Sequence, residues 1–163
     1  MRDFKEVEKL MAQLEIPYKI VEHPASYSTE ESDHYIEGHE GCRSKTLVLA
    51  NKKSTQFYMV IMDDSKRVEM NKLGEILKVN RLHFVSEERL EKMLDLQPGI
   101  VSIFGLVDNK QANLHVYFDR EMLEEHEIMT LHPNDNTKTI FFPMEDCFKI
   151  LDAQCYTYTI IDI

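Results

Sequence analysis

Residues 44–62, SKTLVLANKKSTQFYMVIM, hold two apolar runs at 44–50 and 56–62, joined by the polar Asn51-Lys52-Lys53-Ser54. Each run has strand length and is rich in β-branched and aromatic residues. A connection this short can join only antiparallel neighbours, so the stretch reads as a β-hairpin. Outward toward the N-terminus, residues 18–22 alternate in strand fashion and stop at His23-Pro24, where proline holds the preceding residue extended. Before them, Phe4, Val7, Leu10, Met11 and Leu14 recur at helical spacing. Between strand and hairpin, Ser28 followed by Glu31 forms a capping box that starts a polar helix running toward Gly38.

Outward toward the C-terminus, the pattern predicts a helix over 70–79, a short strand over 81–85, and a helix capped by Ser86 that carries Leu90, Met93 and Leu94. Residues 97–99 (Gln-Pro-Gly) read as a turn, 101–107 as an apolar segment, and 113–118, 127–131 and 137–142 as strands. Pro143 suits the first position of a helix over 144–151, and 156–161 is a last strand. Strands and helices interleave without strict βαβ repetition. The expected fold is α/β (α+β): a mixed, strongly twisted central sheet flanked by helices, in one domain spanning 1–163.

The chain has 163 residues and a net charge of −10. An acidic chain is a poor general binder of duplex nucleic acid, whose affinity rests on Lys and Arg neutralising phosphates, so no DNA partner is expected. The acidity is uneven: residues 1–42 carry −6 and residues 82–163 carry −9, whereas 43–81 hold nine basic against four acidic residues. Three cysteines at irregular spacing do not form a disulfide framework, and the charged N-terminal stretch lacks the apolar core of a signal peptide. No apolar run approaches the ~20 residues that span a bilayer, so the expectation is a cytoplasmic chain with no membrane partner.

Common catalytic motifs are absent. There is no Gly-x-Ser-x-Gly elbow, no phosphate-cradling Gly-rich loop with Lys-Ser/Thr, and no His-Glu-x-x-His helix. His34, His39 and Cys42 are close in sequence, but a structural zinc site wants four ligands and no paired partner appears elsewhere, so neither metal nor cofactor is expected. Cys42, Cys147 and Cys155 read as small hydrophobes, and His23, His83 and His115 as structural residues of strands. His132 differs, because it follows a strand and opens the polar loop 133–137. Lys45 stands in an otherwise apolar strand. Either its ammonium meets an anion such as a phosphate or carboxylate, or it snorkels from the strand into water.

Read together, YKIVEHPA (18–25) with YSTEE (27–31), SKTLVL (44–49) with NKK (51–53), RLHFVS (81–86), PGIVSIFGL (98–106) and LHPNDNT (131–137) resemble the YbaK/prolyl-tRNA-synthetase-associated editing domain, in its free-standing ProX-type branch. The resemblance implies a domain that hydrolyses the ester of mischarged tRNA(Pro), Ala-tRNA(Pro) first. It implies Lys45 as the signature functional residue, with the loops at Phe104-Gly105 and His132-Pro133 lining the amino-acid pocket. Arg81, Tyr27, Thr46, Asn136 and Thr137 are implied as further substrate contacts, and Gly105 and His132 as partners of Lys45 in catalysis. The implied partners are the aminoacylated tRNA 3′ end and a prolyl-tRNA synthetase or elongation factor. Two departures stand out: family members usually carry proline where this chain has Ile103, and a small residue at Lys138.

An aminoacyl ester is already activated, so positioning a water and stabilising an oxyanion suffices, and the missing Ser-His-Asp set is no objection. The expected roles are Lys45 as a point charge on the terminal adenosine, backbone N–H groups near Gly105 orienting ester or water, and His132 shaping the pocket. The substrate's own 2′-hydroxyl is expected to help activate the water. Editing of Cys-, Ser- or Thr-charged tRNA, or non-catalytic binding of an amino acid or tRNA end, are the competing readings, and the presence of Lys45 favours catalysis.

Overall fold

The computed structural model describes residues 3–96 and 99–163. The hairpin forms as read: β2 (Cys42–Ala50) and β3 (Phe57–Asp63) pair antiparallel, with Lys45 opposite Met62 and Ala50 opposite Phe57. It is the centre of an eight-stranded sheet whose main path runs β1-β7-β6-β2-β3-β5-β8, with β4 also paired to β2. The other strands are β1 (Lys19–Glu22), β4 (His83–Phe84), β5 (Leu114–Asp119), β6 (Ile128–Leu131), β7 (Lys138–Pro143) and β8 (Tyr158–Ile161). The sheet is mixed. β6 lies parallel to β2, and β3, β5 and β8 are mutually parallel, while β1, β7 and β6 pair antiparallel.

Strand alternation sends Val48, Ala50, Met59 and Ile61 to one face, where they join the main core under α1 (Phe4–Gln13), α6 (Asp146–Ala153) and a 3-10 turn at Ile103–Leu106. Leu49 and Val60 face the other way and meet Leu73 of α3 (Met70–Leu77). The helix starts follow the expected chemistry. Ser28 Oγ accepts the Glu31 N–H at 3.1 Å to open α2 (Thr29–Tyr35), and Ser86 Oγ accepts from Arg89 N at 3.3 Å to open α4 (Glu87–Leu94).

Two expectations need correction, and two segments take forms that the pattern left open. Pro143 is the last residue of β7, not the first of a helix, because its strand continues to pair Ile128, and α6 begins only at Asp146. Helix α2 ends at Tyr35 and leaves the run to Gly38, which adopts φ +85°, as a turn. The apolar stretch 101–107 folds into the 3-10 turn at Ile103–Leu106. A short helix α5 (Arg120–Glu125), too brief to show periodicity, follows β5 directly. The turn read at 97–99 falls largely outside the described residues, which include only Gly99 of the three. Among the described residues no helix is long and apolar enough to cross a membrane.

Candidate active site

One edge of β2 is occupied by β3 along seven residues, but the other edge is interrupted. β6 reaches only Cys42 and Arg43, and β4 only Leu49 and Ala50. The backbone directions along β2 can be assigned. The Arg43 carbonyl accepts from Asp64 N on the β3 side, whereas the Val48 carbonyl accepts from Val85 N on the opposite side. In an antiparallel ladder a residue's N–H and C=O point the same way and alternate along the strand. Thr46, between β6 and β4, therefore turns its N–H and C=O into the gap. A cavity of about 390 Å3 opens there, walled by β2 through Ser44–Leu47, by α2 through Ser32 and Asp33, by α4 through Leu90, and by Thr130, His132 and Thr139.

Lys45 and Thr46 both line this cavity. The Lys45 ammonium is half-buried and donates to the Lys66 carbonyl at 2.5 Å. That carbonyl is held in turn, because Lys66 Nζ pairs with the buried Asp119 at 2.9 Å and with Glu121 at 3.1 Å. Lys45 thus brings to the cavity wall a positive charge anchored on a neutral carbonyl, a donor suited to an anion or a hydroxyl.

His132 is locked in one state. Its Nδ1 lies 2.8 Å from the Lys138 carbonyl, which can only accept, so Nδ1 carries the proton. Its Nε2 must then accept, and the donor is the Ser32 hydroxyl at 2.8 Å. Ser26 Oγ lies 2.5 Å from Ser32 Oγ, and both hydroxyls are also 3.0 Å from the Ser28 carbonyl, so the start of α2 packs a small hydrogen-bonded cluster against His132. Burial pushes the His132 pKa below its usual value, helped by the nearby His23 and opposed by the Lys138 carbonyl, so the ring stays neutral. Ser32 escaped the sequence reading, since a polar residue one turn after a capping serine looks like helix surface.

The other expected residues do not line the cavity. Gly105 is fully buried, its N–H is spent on the Ser102 carbonyl at 2.9 Å, and a Cβ there would meet Leu96 Cδ1 at 2.9 Å. Its glycine serves packing, and its N–H is not free to meet an ester or a water. Phe104 is likewise buried, edge-on to Phe142, and its carbonyl accepts from Asn134 Nδ2. Pro133, Asn136 and Thr137 build the loop that carries His132: Asn136 Nδ2 donates to the Ser26 carbonyl, and Thr137 Oγ1 donates to Asp135. Tyr27 is 71% exposed beside the cavity-lining Gly99. Arg81 is exposed in the link between α3 and β4, at the far end of β2 from Lys45, and does not reach the cavity.

The two departures are accommodated. Ile103 fills the core at the start of the 3-10 turn, and Lys138 turns its ammonium to Asp135 at 3.3 Å. Two members of the basic stretch are spent internally as well: Lys66 on Asp119 and Glu121, and the Arg43 guanidinium on the Gly41, Ile36 and His39 carbonyls. Asp33, on the cavity wall, has its pKa raised to about 7, first by burial and then by its hydrogen bond and repulsion with Asp64.

Comparison with known proteins places this geometry in a lineage. The family described as aminoacyl-tRNA editing domain matches residues 23–150. The prolyl-tRNA editing protein ProX of Acetoanaerobium sticklandii is 32% identical over 151 residues, covering 93% of this chain and 92% of that protein. The mouse prolyl-tRNA synthetase associated domain-containing protein 1 is 28% identical over 151 residues, covering 91% and 89%. The crystal structure of a candidate trans-editing enzyme for prolyl tRNA synthetase shares the fold at 16% identity, with a TM-score of 0.69 over 98% of this chain and 96% of the other.

Proposed function

The chain belongs to the aminoacyl-tRNA editing domain family, and from that premise we propose that it acts in trans on mischarged tRNA(Pro), hydrolysing the ester between a wrong amino acid, alanine first, and the 3′-terminal adenosine. The observation that carries this reading is the gap in the β2 edge, where a cation, an unpaired strand amide and a neutral imidazole line one small cavity.

Attack of water on the ester carbonyl builds negative charge on its oxygen. A fixed N–H aimed at that oxygen stabilises the transition state more than the ground state, and the Thr46 amide has the required freedom from ladder pairing. Lys45, already desolvated on one side, holds the terminal ribose hydroxyls or phosphate as a point charge. The substrate's 2′-hydroxyl lies next to the ester and assists in activating the water. His132, held neutral, forms the wall against the amino-acid side chain. A small walled cavity admits alanine and excludes the bulkier cognate proline by shape, which is the easier direction of size discrimination.

The same architecture limits the tRNA footprint. With Arg43 and Lys66 committed internally, the net negative chain grips only the acceptor end and releases it readily, so a prolyl-tRNA synthetase or elongation factor would deliver and retrieve the tRNA in the cytoplasm. The test is a panel of labelled aminoacyl-tRNAs presented to the wild type and to Lys45→Ala. Preferential release of alanine from tRNA(Pro), lost in the variant, is the expected result. A preference for Cys-, Ser- or Thr-charged tRNA would move the specificity. Failure to deacylate any tRNA, or full activity of Lys45→Ala, would sink the proposal.

A further inference from the structure

The cysteine–histidine grouping suggested by sequence spacing does not assemble. His34 bonds Glu37 and His39 bonds Lys19, leaving Cys42 to other company. The fold instead sets the Cys42 Sγ, an Asp63 carboxylate oxygen and a His126 ring nitrogen within 4.8 Å of one another. They come from three elements that the sheet ladder fixes together: Cys42 opens β2, Asp63 closes β3 opposite Ser44, and His126 lies two residues before β6, whose Met129 pairs with Cys42.

We propose that Cys42, Asp63 and His126 form a binding site for a zinc-class divalent transition-metal ion that clamps the start of β2 to the end of β3 and the approach to β6. Three features point to a cation. The His126 Nε2 and Asp63 Oδ2 are 3.2 Å apart, close to the ~3.3 Å edge of a tetrahedron built on metal–ligand bonds of about 2.0 Å. The surroundings carry negative charge, since Asp63, Asp64 and Asp33 add to burial in raising the Cys42 pKa, against the Arg43 guanidinium, which three carbonyls hold in place. Finally, Asp64, the residue after Asp63, buries an Oδ2 that has no hydrogen-bond partner and adds to the negative charge acting on Cys42.

Ligand chemistry selects the metal. A thiolate with an imidazole and one carboxylate suits zinc or cobalt and not magnesium or calcium, which demand oxygen ligands. On binding, the Cys42 S–H bond breaks and its proton leaves to solvent, while Nε2 contributes its lone pair. Asp63 binds through Oδ2 and keeps Oδ1 on the Ser65 amide and hydroxyl. Cys42 is fully enclosed, but the Asp63 and His126 side chains are 24% and 31% exposed, so the ion enters from their side and its fourth position faces water. By strand alternation the Cys42 side chain lies on the opposite face of β2 from Lys45, so the metal acts on the framework and not on the ester.

The inference is independent of the editing reading, and its test uses no tRNA. The full chain, stripped with a chelator, is titrated with cobalt(II) and then zinc(II). One equivalent is expected to bind, with a thiolate-to-cobalt charge-transfer band that zinc abolishes and a zinc-dependent rise in melting temperature. The band survives Cys155→Ser, at an exposed thiol, and disappears in Cys42→Ser. Because Cys42 is a core residue, His126→Gln supplies a second arm outside the core, with affinity expected to fall more than about 100-fold and the zinc-dependent melting shift lost. Absence of a one-to-one complex, a band that persists in Cys42→Ser, or unchanged affinity in His126→Gln would overturn the site.

Discussion

The two edges of β2 are built from the same nine residues and do opposite things. Toward β3, β5 and β8 every strand is matched along its length, through registers of seven, five and four residue pairs. Toward β6 and β4 only two pairs form at either end, and the backbone between them is left for a ligand. The filled side converts apolar area into stability. The open side forgoes ladder hydrogen bonds, and on the proposed function the amide it leaves unpaired is the group that meets the ester oxygen. The proposed chemistry uses the place where the sheet is incomplete, because the ladder elsewhere has already consumed its donors.

That contrast breaks if either edge behaves like the other. On the filled side, Phe118 of β5 is fully buried against Phe148 and Tyr158. Phe118→Ala should cost ~3–5 kcal/mol of stability in a denaturant titration, while the folded fraction retains its turnover per molecule. On the open side, Thr46→Pro removes the gap-facing N–H without touching the β3 ladder, because the pairing groups of Thr46 point away from β3. Its kcat should fall roughly 10²–10³-fold, with a melting temperature near that of the wild type and a Thr46→Val control close to normal. A Thr46→Pro enzyme of normal kcat would move the oxyanion contact elsewhere. Next in size, Gly105→Ala places a methyl against Leu96 Cδ1 and should destabilise by ~1–3 kcal/mol with kcat unchanged, as packing and not catalysis requires.

The same asymmetry governs what could be read from residues alone. The hairpin at 44–62 and the strand at β5 were legible because burial on one or both faces writes itself into the spacing of apolar residues. The gap was not, since it depends on where β6 and β4 stop, and nothing within β2 records that. Lys45 and His132 carry visible polarity in apolar or loop contexts, so they could be singled out, whereas the contribution of Thr46 is its backbone and has no side-chain signature. Gly105 misleads for a related reason: a glycine in a loop looks like room for a ligand, yet here the room is taken by Leu96. The nearness of Cys42 to Asp63 and His126 leaves no trace in sequence spacing, because they approach it only through the pairing of β2 with β3 and β6.

The smallest effect concerns Ser32, and it tests whether the open edge is also a preorganised one. Ser32→Ala removes the donor to His132 Nε2, a loss worth about 0.5–1.5 kcal/mol. With its acceptor nitrogen unpartnered and water admitted, the imidazole should protonate more easily, so its depressed pKa should climb back toward the ordinary value of 6.5. The sign follows from linkage. In the wild type the folded pKa lies below the unfolded one, so the stability from neutral His132 is present above pH ~6.5 and is lost as pH falls toward the folded value. The variant has less to lose. Its stability deficit should therefore be greatest above pH ~6.5 and narrow on acidification, measured as melting temperature against pH alongside imidazole nitrogen NMR. A deficit that stays constant with pH would mean that Ser32 does not control the protonation of His132, and the wall of the cavity would owe its shape to the Lys138 carbonyl alone.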